Sequence, residues 1–205
     1  MRSFLIAITL VICSCGGGSQ RSDFRPSVVK ATVLPYLDLR YPVYMLTDKS
    51  FWSGCDRDPA GDKICRAVRV QQIKEGVEQW FDYFDIADRP QKFIVFSEED
   101  LPANSKNRVI HLGIDPGGPC GKENMGKRYI ACYRHRVPEI VFQGPAWITP
   151  RISAHEFGHA LGRDDNDVPE GTSSVMSYKK PTRVLPRDVE MMCRLHTECQ
   201  MVKKK

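Results

Sequence analysis

The sequence predicts an α+β fold: one sheet of five strands, with a long helix near its start and two helices after its last strand. Three observations predict it. Apolar residues recur every three or four positions over residues 68–84, then give way to short β-branched and aromatic runs between 92 and 142. A second helical stretch, opened by Thr149 and Pro150, follows the last of those runs. About 165 residues remain once the N-terminal segment is set aside, enough for one domain that buries a proper core.

Taken in order, residues 1–14 carry Arg2 and then an apolar run from Phe4 to Ile12, too short to cross a bilayer. That is the form of a secretory signal peptide. The residues that follow, ICSCGGGS, resemble a bacterial lipoprotein cleavage box, which implies lipidation of Cys15. Ordinary cleavage near Gly16 to Gly18, with a freely secreted product, is the alternative. Residues 15–40 are rich in Gly, Ser, Gln, Arg and Lys and read as a flexible tether that holds the domain, 41–205, off a membrane. The expected localisation is therefore outside the cytoplasm, in the cell envelope or secreted.

Within the domain, residues 41–47 (YPVYMLT) have strand composition. Residues 68–84 place Val70, Ile73, Val77, Trp80, Phe81 and Phe84 on one helical face. Residues 92–96 (KFIVF), 108–113 (RVIHLG), 129–133 (YIACY) and 139–142 (EIVF) read as four more strands. The next helix runs from Pro150, with the Thr149 hydroxyl as its cap, to about residue 161. A final helix is expected over residues 185–195 (LPRDVEMMCRL).

Composition narrows the classes of function. The net charge is only +5 and no nucleic-acid reader motif accompanies it, so no nucleic-acid partner is expected. No second apolar stretch is long enough for a transmembrane helix. Six cysteines remain after Cys15: Cys55, Cys65, Cys120, Cys132, Cys193 and Cys199. In an exported chain an even count favours disulfides, and the sequence-local pairing joins 55 with 65, 120 with 132 and 193 with 199. No C-x-x-C spacing suggests a cysteine zinc site. A monomer is the default.

The chemistry concentrates in residues 155–178, HEFGHALGRDDNDVPEGTSSVMSY. His155 and His159 stand four apart, on one face of a helix, where both rings can reach one metal ion. Glu156 then lies beside the open coordination position, where a carboxylate can take a proton from water. Gly162 can adopt the left-handed conformation that ends a helix, and Asp165 can then return to the same ion. His111, His135 and His196 have no ligand spacing and read as structural or solvated.

With Met176 and Tyr178 downstream, this stretch resembles the metzincin zinc peptidases, whose pattern is H-E-x-x-H-x-x-G-x-x-H followed by a Met-turn. Asp165 stands where most of that family has a third His, a variant similar to the snapalysin-like branch, and a carboxylate is an acceptable zinc ligand. The resemblance implies a twisted, mostly parallel five-stranded sheet with an antiparallel edge strand, an active-site helix, and a C-terminal helix below the Met-turn. It further implies one catalytic Zn2+ on His155, His159 and Asp165, with Met176 packed beneath the ligands. Tyr178 would approach the metal or donate to a developing oxyanion, or else merely pack in the turn.

These implications describe an exported zinc-dependent endopeptidase in which Glu156 is general base and then acid, acting on a peptide or protein substrate. Two other readings stand beside it. One is a catalytically silent zinc-binding envelope protein on the same fold. The other takes Glu190, from the last helix, as the third ligand, and Gly162 and the Met-turn argue against it. The resemblance also implies that the strand at 129–133 is an open edge that receives an extended peptide. Around it lie Lys122, Lys127, Arg128, Arg134 and Arg136 against Glu123. Such a rim either favours acidic substrates or protects the edge from aggregation.

Overall fold

A computed structural model describes residues 37, 43–55, 59–83, 101, 109–118, 129–169, 171–178 and 182–196. The segment expected as a signal peptide, Cys15, the strand expected at 92–96 and the rim residues Lys122, Glu123, Lys127 and Arg128 lie outside these. So do Cys120 and Cys199, the expected partners of Cys132 and Cys193.

The order of elements is β1 (Tyr44–Thr47), α1 (Pro59–Phe81), β2 (Val109–Ile114), β3 (Ala131–Arg134), β4 (Glu139–Phe142), α2 (Pro150–Ala160) and α3 (Pro186–Cys193). The class is α+β, as the sequence predicts. Among the described residues the sheet has four strands rather than five, in the order β1-β2-β4-β3. β1 pairs β2 and β2 pairs β4 in parallel, while β3 pairs β4 antiparallel, with Tyr133 opposite Ile140. The sheet is thus mixed and mostly parallel, with β3 bonded to β4 on one side.

The residue pattern explains the layers. Met45, Ile110, Leu112, Ile140 and Phe142 are buried on the sheet, and Ile73, Val77 and Trp80 of α1 join them in one core. Residues of β2 and β4 are buried almost continuously, as expected for parallel strands. Leu37, placed in the tether by its sequence, is buried in this core, so the packed unit starts ahead of residue 41.

The helix α1 starts nine residues before the expected 68, at Pro59. Its first turns lack apolar periodicity because they are pinned otherwise: a disulfide joins Cys55 to Cys65, with Cα atoms 5.6 Å apart, as the sequence-local pairing expects. Arg69 adds bonds from its guanidinium to the carbonyls of Phe51 and Ser53, the latter at 2.8 Å.

The helices α1 and α2 pack in direct contact, and this places the site. A Cβ on Gly76 would stand 2.5 Å from the Pro150 carbonyl oxygen and 2.6 Å from Ser153 Cβ. Trp80 reinforces the contact, its Nε1 donating to the Ala154 carbonyl at 2.7 Å. In an exposed helix Gly→Ala would gain about 1 kcal/mol. Here the backbone of α2 blocks the methyl, so Gly76→Ala is expected to destabilise by about 1–3 kcal/mol, read as a lowered midpoint in chemical denaturation.

Candidate metal centre

Local capping fixes the helix that carries both histidines. Thr149 Oγ1 accepts the Ile152 N–H at 3.3 Å, and Pro150 occupies the first turn, where a missing N–H costs nothing. At the other end Gly162 has φ 84°. Its N–H bonds the His159 carbonyl, and the Arg163 N–H bonds that of Gly158, both at 2.9 Å. This double closure is the glycine-terminated helix end that the sequence suggests. It reverses the chain so that residues 163–167 return beneath the imidazoles.

The reversed segment is itself braced. Asp164 Oδ1 accepts the Asn166 N–H at 2.9 Å, and Asp167 Oδ2 accepts the Asp164 N–H at 2.9 Å, closing a short 3-10 turn over Asp165–Asp167. Asp165 then faces the helix. Its Oδ1 lies 3.3 Å from His155 Nε2 and 3.6 Å from His159 Nε2. One ligand atom from each of His155, His159 and Asp165 lies within 4.8 Å of the others, a cluster that can hold a metal ion.

The hydrogen bonds around the cluster define which atoms are free. His155 Nδ1 bonds the Val175 carbonyl at 2.9 Å and His159 Nδ1 bonds the Arg163 carbonyl at 2.8 Å. A carbonyl only accepts, so each Nδ1 carries the proton and each Nε2 of a neutral ring presents a lone pair. Burial, followed by the neighbouring His159, lowers the His155 pKa, and Arg151 adds a weaker push the same way. With its ring neutral, His155 turns the Nε2 lone pair toward the Asp165 carboxylate oxygen, two acceptors facing each other with no donor between them. His155 Nε2 and Asp165 Oδ1 are buried with no hydrogen-bond partner. Such a pair is costly unless a cation sits between the two atoms, and His159 Nε2 lies within reach of the same point. The residues fit a divalent metal.

Around these three, Tyr178 donates from its hydroxyl to Asp165 Oδ2 at 2.8 Å, and its ring stands 5.2 Å from that of His155. The residue is 64% exposed, but its phenol end is turned inward. Burial of that end, then the Asp165 charge and hydrogen bond, raises the Tyr178 pKa, so it stays a donor. Met176 is fully buried below, and a Cβ on Gly158 would stand 2.5 Å from its sulfur and 2.7 Å from Trp80. A side chain at residue 158 would have to displace the Met176 thioether and the buried Trp80 ring.

Glu156 borders two cavities, of about 400 and 220 Å³, and Tyr178 borders both as well. His155 lines the larger, His159 and Asp165 the smaller. Burial, and then the Asp165 charge, push the Glu156 carboxyl up to about 8, opposed by a hydrogen bond with the Tyr133 backbone. Above its ordinary value of 4.5 the unfolded chain gives up this proton while the folded, metal-free chain keeps it, so Glu156 lowers stability progressively from pH 4.5 to about 8. Glutamine mimics the protonated form. Metal-free Glu156→Gln is therefore expected to match the parent near pH 4.5 and to exceed it by a few kcal/mol at pH 8, at ~1.4 kcal/mol per unit of pKa. Urea unfolding at both pH values checks this.

Three site residues carried no sequence signal. Asp188 is buried at the start of α3; its carboxylate accepts from Ser174 Oγ at 2.5 Å, the Val175 N–H at 3.3 Å and the Leu185 N–H at 2.9 Å. It thereby holds the turn whose Val175 carbonyl fixes His155. Arg163 is buried, donates from Nη1 to the Asp188 carbonyl at 3.3 Å and pairs through Nε with Asp167 at 3.4 Å. It ties the Asp165 turn to α3. His135, set aside for want of ligand spacing, lines the smaller cavity with its ring 6.4 Å from that of His159. His196 is structural, its Nε2 at 3.0 Å from the Leu161 carbonyl. Glu190 is exposed on α3 and stands outside the cluster.

No protein-family model matches the chain, and neither does any curated protein or solved structure. The fold and the site on their own define a small α+β protein with a candidate metal centre of two imidazoles and one carboxylate.

Proposed function

We propose that this chain is an exported zinc-dependent endopeptidase of the metzincin type, in its variant with aspartate as third ligand. The observation that carries the proposal is the convergence of His155 Nε2, His159 Nε2 and Asp165 Oδ1 with Glu156 beside them on the same helix. Two nitrogens and one oxygen suit zinc, and three protein ligands leave a position open. The two cavities that Glu156 borders supply room for a substrate.

The chemistry divides as follows. Zinc in this site would supply Lewis acidity toward a scissile carbonyl and toward water. Glu156 takes the proton of the attacking water and returns it to the leaving amine. To act as base Glu156 must be ionised, a form that its burial disfavours and that a nearby positive charge restores. Asp165 is oriented by Tyr178, and the two histidines by the Val175 and Arg163 carbonyls. The secretion signal and the lipoprotein-like box at Cys15 add the proposal that the enzyme works at the cell envelope or outside the cell.

Zinc content and casein hydrolysis, each measured with and without chelator, test this together. One zinc per chain with chelator-sensitive hydrolysis is expected. Bound zinc without hydrolysis would instead point to a silent zinc-binding envelope protein.

A further inference from the structure

We propose that Arg151 makes the larger cavity a subsite for a carboxylate carried on an apolar stem: a glutamate side chain of the peptide, or a chain-terminal carboxylate. The peptide nature of the ligand rests on the peptidase proposal; the preference for a carboxylate rests on the cavity itself.

The cavity of about 400 Å³ extends from His155 and Glu156 to Arg151, and Ile130, Ile152 and Val175 give it apolar walls. Such walls suit methylenes and would leave a charged tip uncompensated, except where the guanidinium stands. Helix stability does not account for this arginine. It lies in the first turn of α2, where no acidic residue accompanies it and where the helix dipole opposes a cation. Nor does an ion pair account for it, since among the described residues no carboxylate pairs with Arg151. By contrast Arg134, one of the rim cations noted in the sequence, is engaged by Glu139 at 2.9 Å and Asp115 at 3.3 Å. Arg151 lies outside that rim cluster, on the first turn of α2.

Among the described residues that line the cavity, Arg151 carries the only guanidinium or ammonium group. A guanidinium binds a carboxylate through two parallel N–H bonds, whereas the isosteric amide accepts only one. Discrimination of glutamate from glutamine of about tenfold is expected from one charge-assisted hydrogen bond.

Equilibrium binding to the full zinc-loaded chain carrying Glu156→Gln, which removes turnover, tests the assignment. The probes are fluorescent, C-terminally amidated alanine peptides with one central Glu, Gln, Lys or Leu, plus the Leu peptide with a free C-terminus. The Glu peptide is expected to bind about tenfold tighter than the Gln peptide. Arg151→Gln should bring the two within twofold, and Arg151→Glu should turn the preference toward Lys. A gain confined to the free C-terminus would identify the terminal carboxylate as the source. Equal affinities for every peptide, or a carboxylate preference that survives Arg151→Gln, would overturn the proposal. Cleavage of the same peptides by the parent chain separates the two proposals: an Arg151-dependent preference without cleavage defeats the peptidase reading alone, and cleavage indifferent to the central residue and to the free C-terminus defeats this one alone.

Discussion

Glu156→Gln is expected to keep its zinc and to lose peptide hydrolysis by a factor of about 10²–10⁴, the range over which a positioned general base contributes. The side chain lies next to His155 on α2 and borders both cavities, but it is not among the three converging ligand atoms. Glutamine keeps its size and its acceptor oxygen toward the Tyr133 backbone, so the fold should not suffer. Indeed the metal-free variant should be the more stable one at pH 8, because the buried carboxyl it replaces is pushed up to about 8. Activity and stability thus move in opposite directions, a signature that simple misfolding cannot produce. Casein hydrolysis and zinc content of the same preparation check it, and full activity in the variant would refute the role given to Glu156.

Asp165→Ala is expected to weaken zinc binding by at least a hundredfold. Groups that only orient a ligand are worth about 10–100-fold in affinity, and a ligand atom itself should be worth more. The loss has a second component, since Tyr178 would be left without its acceptor at 2.8 Å. Glu190→Ala serves as the control. That residue is exposed on α3, outside the cluster, and its removal should leave affinity within twofold. Competition against a chromophoric chelator reads both. Loss of zinc from Glu190→Ala, with Asp165→Ala unaffected, would reverse the ligand assignment.

How much of this was legible beforehand follows from where the information lies. His155, His159 and Gly162 are positioned by the helix period and by one left-handed residue, both local properties, and the sequence places them well. The β4 strand, Glu139–Phe142, is found with its expected ends because its apolar run is bounded by Pro138 on one side and polar Gln143 on the other. The first turns of α1 were not legible. They are held by a disulfide to residue 55 and by Arg69 reaching back across 16 and 18 positions, not by an apolar stripe. Asp188 and Arg163 escape for the same reason. A buried carboxylate that collects two N–H groups and a hydroxyl looks, in sequence, like any Asp in the first turn of a helix. His135 is near the site only because β3 ends there, a property of sheet order. The hydrogen bond from the Tyr178 hydroxyl to Asp165 carried no signal in the sequence, because it depends on how residues 174–178 fold back toward α2.

The most direct test of the centre is X-ray absorption at the zinc edge of the loaded full chain. The account predicts two imidazole nitrogens and oxygen scatterers at about 2.0–2.2 Å and no sulfur, with one oxygen lost or zinc absent in Asp165→Ala. Sulfur at about 2.3 Å, or a spectrum unchanged in Asp165→Ala, would contradict it.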